Sequence, residues 1–268
     1  MRRRAAAAVC AWFLGPSLLC AQELLSTAAG PAWVRIPAQT FQMGCVPHDR
    51  ECSANEQPRH AVRLTRDFWM MAHEVTVMAF REYAAKAGRP FPAQPEWSAG
   101  DHPIVNVTWG DAVRFCEALG GRLPTEAEWE CAARGGKDGT IYPWGDRYEA
   151  GLVNDSDGFR HAATTPAGKY PPNAYGLHDV IGNVWEWVHD WSSDEYYARS
   201  PAADPTGPSS GEARVTRGGA WRPYPRVFRL SNRGRSRPDR ANYYIGFRCA
   251  RSAPPPGTRE AIVQRGEP

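Results

Sequence analysis

The sequence predicts a loop-rich α+β domain with few short strands and helices, on three observations. Two apolar stretches near the start alternate loosely and read as strands, and three amphipathic stretches with helix-cap residues follow them. Beyond Gly136, residues such as Gly, Pro, Asn, Asp and Trp replace any sustained apolar period, so loops predominate there. A chain of 268 residues can bury one substantial core, and no second composition regime divides it. With 11% aromatic residues, eleven of them Trp, and an ordinary 23% charged residues, the body is expected to fold.

Residues 1–21 read as a secretory signal peptide: Arg2, Arg3 and Arg4, an apolar run from Ala5 to Leu19, then Cys20 and Ala21 before polar Gln22. The run is shorter than the roughly 20 apolar residues of a spanning helix and contains Gly15 and Pro16, so no transmembrane span is expected. Lipid anchoring at Cys20 is the minor alternative, since Ser17 and Leu19 match the usual lipidation pattern poorly. Trp33–Gln42 reads as a strand entering the turn at Met43-Gly44, and His60–Met71 as a second. Thr76 is the expected N-cap of a helix over 77–87 that ends at Gly88 and Pro90. A second helix is expected over 110–119, stopped by Gly120-Gly121. Thr125 with Glu128 makes a capping box for a third, Glu126–Arg134. The Pro-rich segment 253–268 reads as a disordered tail.

Residues 1–21 carry three Arg and no acid, so a chain beginning at Gln22 has 29 basic and 29 acidic residues. That neutral balance gives no field for nucleic acid or an anionic membrane. Five Cys then remain, and in an oxidising compartment two disulfides and one odd thiol are expected. Cys45 and Cys52, seven positions apart in a polar loop, can close that loop; spacing alone does not assign the pairs. No Cys/His run has zinc-site spacing, and the seven His show no spacing for a metal or a general base.

Four blocks carry a family resemblance: Phe41-Gln42-Met43-Gly44; Arg122-Leu123-Pro124-Thr125-Glu126-Ala127-Glu128-Trp129-Glu130; Gly182-Asn183-Val184-Trp185-Glu186-Trp187; and Arg217-Gly218-Gly219-Ala220-Trp221 with Gly246-Phe247-Arg248. In order and spacing they resemble the formylglycine-generating enzyme, or sulfatase-modifying factor, family, over about Trp33 to Ala250. The resemblance implies a sulfatase-modifying factor domain over 28–252 with a C-type-lectin-like fold. It implies two structural calcium sites, one from Asn154, Asp155, Asp157 and Phe159, the other from Asp179, Gly182, Val184 and Glu186. It also implies a disulfide between Cys116 and Cys249, which leaves Cys45 with Cys52 and Cys131 as a thiol packed in the core.

In these enzymes two cysteines shortly after the glycine pair bind copper(I), which activates oxygen to oxidise a substrate cysteine. Here that stretch reads Trp221-Arg222-Pro223-Tyr224-Pro225-Arg226-Val227-Phe228, and no Cys lies between Cys131 and Cys249, so no copper is expected. Instead, Arg214 to Arg248 holds ten Arg against one acid, Asp239. Such a cluster can grip a carboxylate, phosphate or sulfate, and a ligand groove is expected at Trp221, Arg222, Arg226, Arg229 and Arg235. Taken singly, each of these Arg is better explained by pairing with acids elsewhere or stacking on Trp and Tyr. The expected function is an exported (periplasmic or secreted), monomeric, calcium-stabilised noncatalytic binding or accessory module for a protein or small-molecule ligand, one with an anionic group included. The alternative is an exported oxidoreductase-like maturation enzyme, formylglycine-generating or siderophore-maturing, with a mechanism that uses no copper.

Overall fold

In the computed structural model the described residues are 31–155, 163–221 and 225–254. The expected signal peptide therefore lies outside them, as does all but the start of the expected tail. Each of the two predicted long strands is divided in two. β1 (Trp33–Ile36) and β2 (Gln39–Met43) run antiparallel to β4 (Phe68–Met71) and β3 (His60–Leu64) respectively. The cause is a slip in register: Ile36 faces Phe68 but Gln39 faces Leu64, leaving two residues to span one side and three the other. Pro37 lacks an N–H for the ladder, and Asp67 holds the break by accepting from the Ala38 amide at 2.8 Å and pairing with Arg35.

The three helices lie within a residue of their predicted bounds: α1 Val77–Lys86, α2 Trp109–Ala118 and α3 Glu126–Arg134. Thr76 caps α1 by accepting from Ala79 N at 3.2 Å, and Thr125 with Glu128 forms the capping box of α3. α2 has a capping box of its own, Thr108 with Asp111; the shorter acid hides it from the usual Glu/Gln pattern. Eight of the nine residues of α3 are buried, charged ones included. Glu130 accepts from Arg134 and from Arg217, both at 2.6 Å, and Glu126 accepts from Arg233 at 2.7 Å. Burial raises the Glu130 carboxyl, but Arg134 and Arg217 hold it below the usual carboxylate range.

Within the loop-rich second half lies a sheet of order β7-β6-β5-β8, with β5 Trp185–Trp191, β6 Arg214–Arg217, β7 Gly234–Ser236 and β8 Ile245–Gly246. All its pairings are antiparallel except β5 with β8. These strands give no alternating signal because both faces of β5 and β6 are covered, so Glu186, Asp190, Thr216 and Arg217 are buried along with the apolar residues. A short β9 (Ala250–Arg251) adds to β4 and closes a three-stranded sheet with β1.

Two apolar clusters fill the interior. One gathers β2, β3, β4 and α3 around Trp129. The other holds α1 and α2 through Phe80, Phe115 and Phe247, whose rings lie 5.4 to 6.3 Å apart. Disulfides join Cys45 to Cys52 and Cys116 to Cys249. No helix among the described residues is long and apolar enough to cross a membrane.

Candidate functional site

An open cleft of about 390 Å³ borders the four-stranded sheet. β5 contributes Trp185, β6 Thr216 and β7 Gly234 and Arg235, while Ala220 follows the turn Gly218-Gly219, whose φ values of 95° and 80° suit glycine. Gly234 keeps the floor low: a Cβ there would sit 2.5 Å from Thr216 Oγ1 and 2.8 Å from the Trp185 ring. Gly234→Ala should therefore cost about 1–3 kcal/mol through overpacking, seen as a lower urea midpoint with the same slope.

Beside the cleft the ring of Trp221 packs against Trp97, Tyr243 and Tyr244, at 6.0, 6.4 and 5.1 Å between centroids. Tyr243 is 41% exposed, so this aromatic group reaches the surface.

Of the five residues expected as a ligand groove, the described ones do not all line the cleft. Arg222 lies outside the described residues. Arg235 lines the cleft, and its pair with Asp194 at 2.9 Å is open to water on both sides, so it holds the guanidinium weakly. Arg226 is exposed beside Val227, another residue of the wall. Arg229 is a correction: it is 2% exposed and points away from solvent, donating to Glu56 at 2.6 and 2.7 Å and to Asp49 at 2.8 Å. A buried guanidinium needs such partners, and the loop closed by Cys45–Cys52 supplies Asp49 while the turn after it supplies Glu56.

Four other arginines are likewise committed, while Arg237 and Arg240 are exposed. Arg214 lies between the rings of Trp109 and Trp191, 3.8 and 3.6 Å from their centroids, and Arg217, Arg233 and Arg248 hold buried acids.

Among the described residues, one group of His, Cys, Asp or Glu has ligand atoms all within 4.8 Å of one another: Cys45, Asp49, Cys52 and Glu56. Its sulfurs are joined and its carboxylates hold Arg229, so it anchors that guanidinium rather than a metal. The remaining thiol, Cys131 on α3, is 2% exposed, and burial together with Glu130 and Glu128 pushes its pKa up to about 12. It should resist disulfide-exchange reagents in the native protein and react at once in 6 M guanidinium; fast native labelling would contradict that burial.

Of the first expected calcium set, Asp157 and Phe159 lie outside the described residues. Asn154 is buried, donating to Ala163 O at 3.1 Å and Asn183 Oδ1 at 3.3 Å, and the Tyr148 hydroxyl donates to the Asp155 carboxylate. The two expected sets abut: a Cβ on Gly182 would lie 3.0 Å from Asn154 O and 2.3 Å from Val153 Cγ2. In the second set Asp179 has φ 51° and accepts from the amides of Gly168 and Tyr170. Glu186 accepts from Arg248 Nη2 at 2.7 Å, from Arg248 Nε at 2.9 Å and from Trp129 Nε1 at 2.8 Å.

Facing these is a residue that nothing in the chain alone singles out. Glu74 is fully buried, and neither carboxylate oxygen has a hydrogen-bond partner. Burial pushes its carboxyl well above the usual range, and Asp179 and Glu186 add to that while Arg248 opposes it. As one polar residue between a strand and a helix cap it reads as a packing position, and only the three-dimensional neighbourhood marks it out. An orphaned buried carboxylate is the kind of group that a hard, oxygen-liganded cation satisfies, although the ligand atoms of Glu74, Asp179 and Glu186 are not gathered within 4.8 Å of one another.

Residues 21–253 match the family described as the sulfatase-modifying factor enzyme 1-like domain. A formylglycine-generating enzyme of Streptomyces coelicolor is 45% identical over 170 residues, which are 57% of this chain and 54% of that enzyme. The chain thus spans about half the length of the curated relatives it matches. The structure of PvdO from Pseudomonas aeruginosa superposes with a TM-score of 0.76 at 29% identity, covering 83% of this chain and 95% of that one. Treponema denticola variable protein 1 superposes at 0.70 and 28%, covering 82% and 95%.

Proposed function

The chain belongs to the sulfatase-modifying factor enzyme 1-like family, and from that premise we propose that it is an exported, calcium-stabilised, noncatalytic binding or accessory module. The observation that carries the reading is the lack of soft donors where the family's oxidation chemistry needs them. Among the residues lining the cleft none is a cysteine, four of the five cysteines after residue 21 are in disulfides, and the fifth is buried in α3. Copper(I) prefers two thiolates, and the stretch after Gly219 offers Pro, Tyr, Arg, Val and Phe instead. What the cleft offers is an aromatic wall and Arg235, a combination that suits a peptide or small molecule with an anionic group.

The two disulfides support export to an oxidising compartment, because cytosolic thiols are kept reduced. Calcium fits the loop junction on the orphaned Glu74 carboxylate beside Asp179. Bound there, the ion would supply charge neutralisation and cross-link loops that have little regular hydrogen bonding of their own.

Two measurements test the reading. Titrated against a chromophoric copper(I) chelator, the native protein should fail to compete; competition at one equivalent would reverse the assignment toward a copper oxidase. The melting temperature should fall on adding a chelator and recover with Ca²⁺, since a ligand bound only to the native state stabilises it by mass action. An unchanged melting temperature would discard both calcium sites.

A further inference from the structure

A second hollow, sharing no lining residue with the cleft, lies beyond the end of α3. α3 stops at Gly135, and Asn173 clamps the 171–173 segment to its last turn by donating to the carbonyls of Ala132 and Ala133 at 2.8 and 3.0 Å. The approach is close: a Cβ on Gly135 would lie 3.1 Å from Asn173 Cγ and from Ala174 N. The clamp brings Pro171 and Pro172 to a hollow of about 140 Å³ that Lys137, Pro143, Trp144 and Leu152 also line. Val180 and Ile181, both buried, form its inner side.

These walls are stiff before any ligand arrives. The Trp144 ring stacks on Tyr142 with centroids 5.5 Å apart and planes 7° apart, and its Nε1 donates to Arg147 O at 2.8 Å. The three prolines have φ fixed by their rings. The volume suits one benzene ring, since an engineered apolar cavity of about 150 Å³ takes up benzene.

Hydrogen bonding leaves one polar side chain of this lining able to meet a ligand. Asn173 spends its amide hydrogens on α3, and its Oδ1 accepts from the amides of Tyr175 and Leu177 at 3.0 and 3.1 Å. Asp179 is 5% exposed and accepts from the amides of Gly168 and Tyr170. Lys137 is exposed, and no acid among the described residues pairs with its ammonium. The adjacent Asp138 is turned to Arg59 instead.

We propose that this hollow binds a small organic acid carrying one aromatic or branched apolar group, with the apolar group between Trp144, Leu152 and the prolines and the carboxylate on Lys137 Nζ. Asp179, whose oxygens are already held, offers the acid no donor on the inner side, so the ligand enters apolar end first. Most of the affinity comes from the walls. The ammonium, in contact with water, orients the ligand and rejects amines more than it adds strength. The site is separate from the cleft and does not depend on what the cleft binds.

An NMR titration of the folded chain with phenylacetate, read at methyl groups, tests this. Signals of Leu152, Val180 and Ile181 should shift and saturate with a Kd of about 1 mM, the strength expected of so small a ligand. Benzylamine should bind about tenfold more weakly. Lys137→Met should weaken phenylacetate about three- to fivefold and leave benzyl alcohol unchanged, a split that a merely solvated lysine would not produce. Leu152→Trp fills the hollow and should abolish binding of all three. Lys137 is exposed, so its variant keeps the test open if the Trp variant melts early. Phenylacetate that leaves these methyl groups unmoved, or moves those of Val227 and Ile245 in the cleft instead, would overturn the site. Benzylamine bound as tightly as the acid, or a Lys137→Met protein that binds phenylacetate as well as the wild type, would overturn the assignment of an acid as its ligand.

Discussion

Arg248→Met should destabilise the protein by about 3–5 kcal/mol, the range for breaking a buried ion pair, and lower its melting temperature by about 10 °C or more for a domain of this size. The reason is asymmetry. Among the described residues Arg248 is the guanidinium that faces Glu74, Asp179 and Glu186, so its loss leaves these buried acids without it, while Glu186→Gln leaves Arg248 with two other acids to face. The Met variant should accordingly be the worse of the two, and the double variant should recover part of the loss, in a cycle with a coupling energy of about 1–3 kcal/mol. Thermal melts of the four proteins check it; equal effects from the two single changes would show that the three acids do not share one guanidinium.

Losing the Cys116–Cys249 disulfide should cost about as much. The bond joins residues 133 positions apart, and the chain-entropy estimate for such a loop is about 5 kcal/mol, against roughly 2 kcal/mol for the short loop closed by Cys45–Cys52. Both sulfurs of the long bridge are buried among Phe80, Phe115 and Phe247, so the Cys116→Ala/Cys249→Ala protein also leaves a small void there. Guanidinium unfolding of the two double-Ala variants should rank them in that order. If opening the short loop proves the more damaging, the order would show that native contacts of the 45–56 loop on Arg229, not unfolded-state entropy, set its worth.

The contrast between helices and sheet shows what was legible in advance. Thr76, Thr125 and Glu128 announce their helices because a cap is a local device whose partners lie three residues away. The strands from Trp185 onward announce nothing, because their periodicity is erased by burial on both faces and by arginines that reach distant acids. The break in the first strand pair was half visible in Pro37; the register slip depends on the partner strand and was not.

The site follows the same division. The missing thiols after Gly219 can be read from the chain itself, as can Trp221 and the density of arginines. Which arginines face the cleft cannot: Arg235 does, and Arg229, six residues earlier, is buried on Glu56 and Asp49. Glu74 is the sharpest case. Its chemistry lies in what surrounds it, Asp179 more than a hundred positions away and Arg248 further still, and in hydrogen bonds that are not made.

The most direct trial of the account is to incubate the purified protein, without residues 1–21, with a cysteine-containing sulfatase peptide, copper(I) and oxygen, and to weigh the peptide. A wall of Val227, Tyr244 and Arg235 that has no thiolate to hold copper should return the peptide at its starting mass. Peptide whose cysteine has become an aldehyde would contradict it, and would mean that this fold oxidises thiols without the sulfur pair its relatives use.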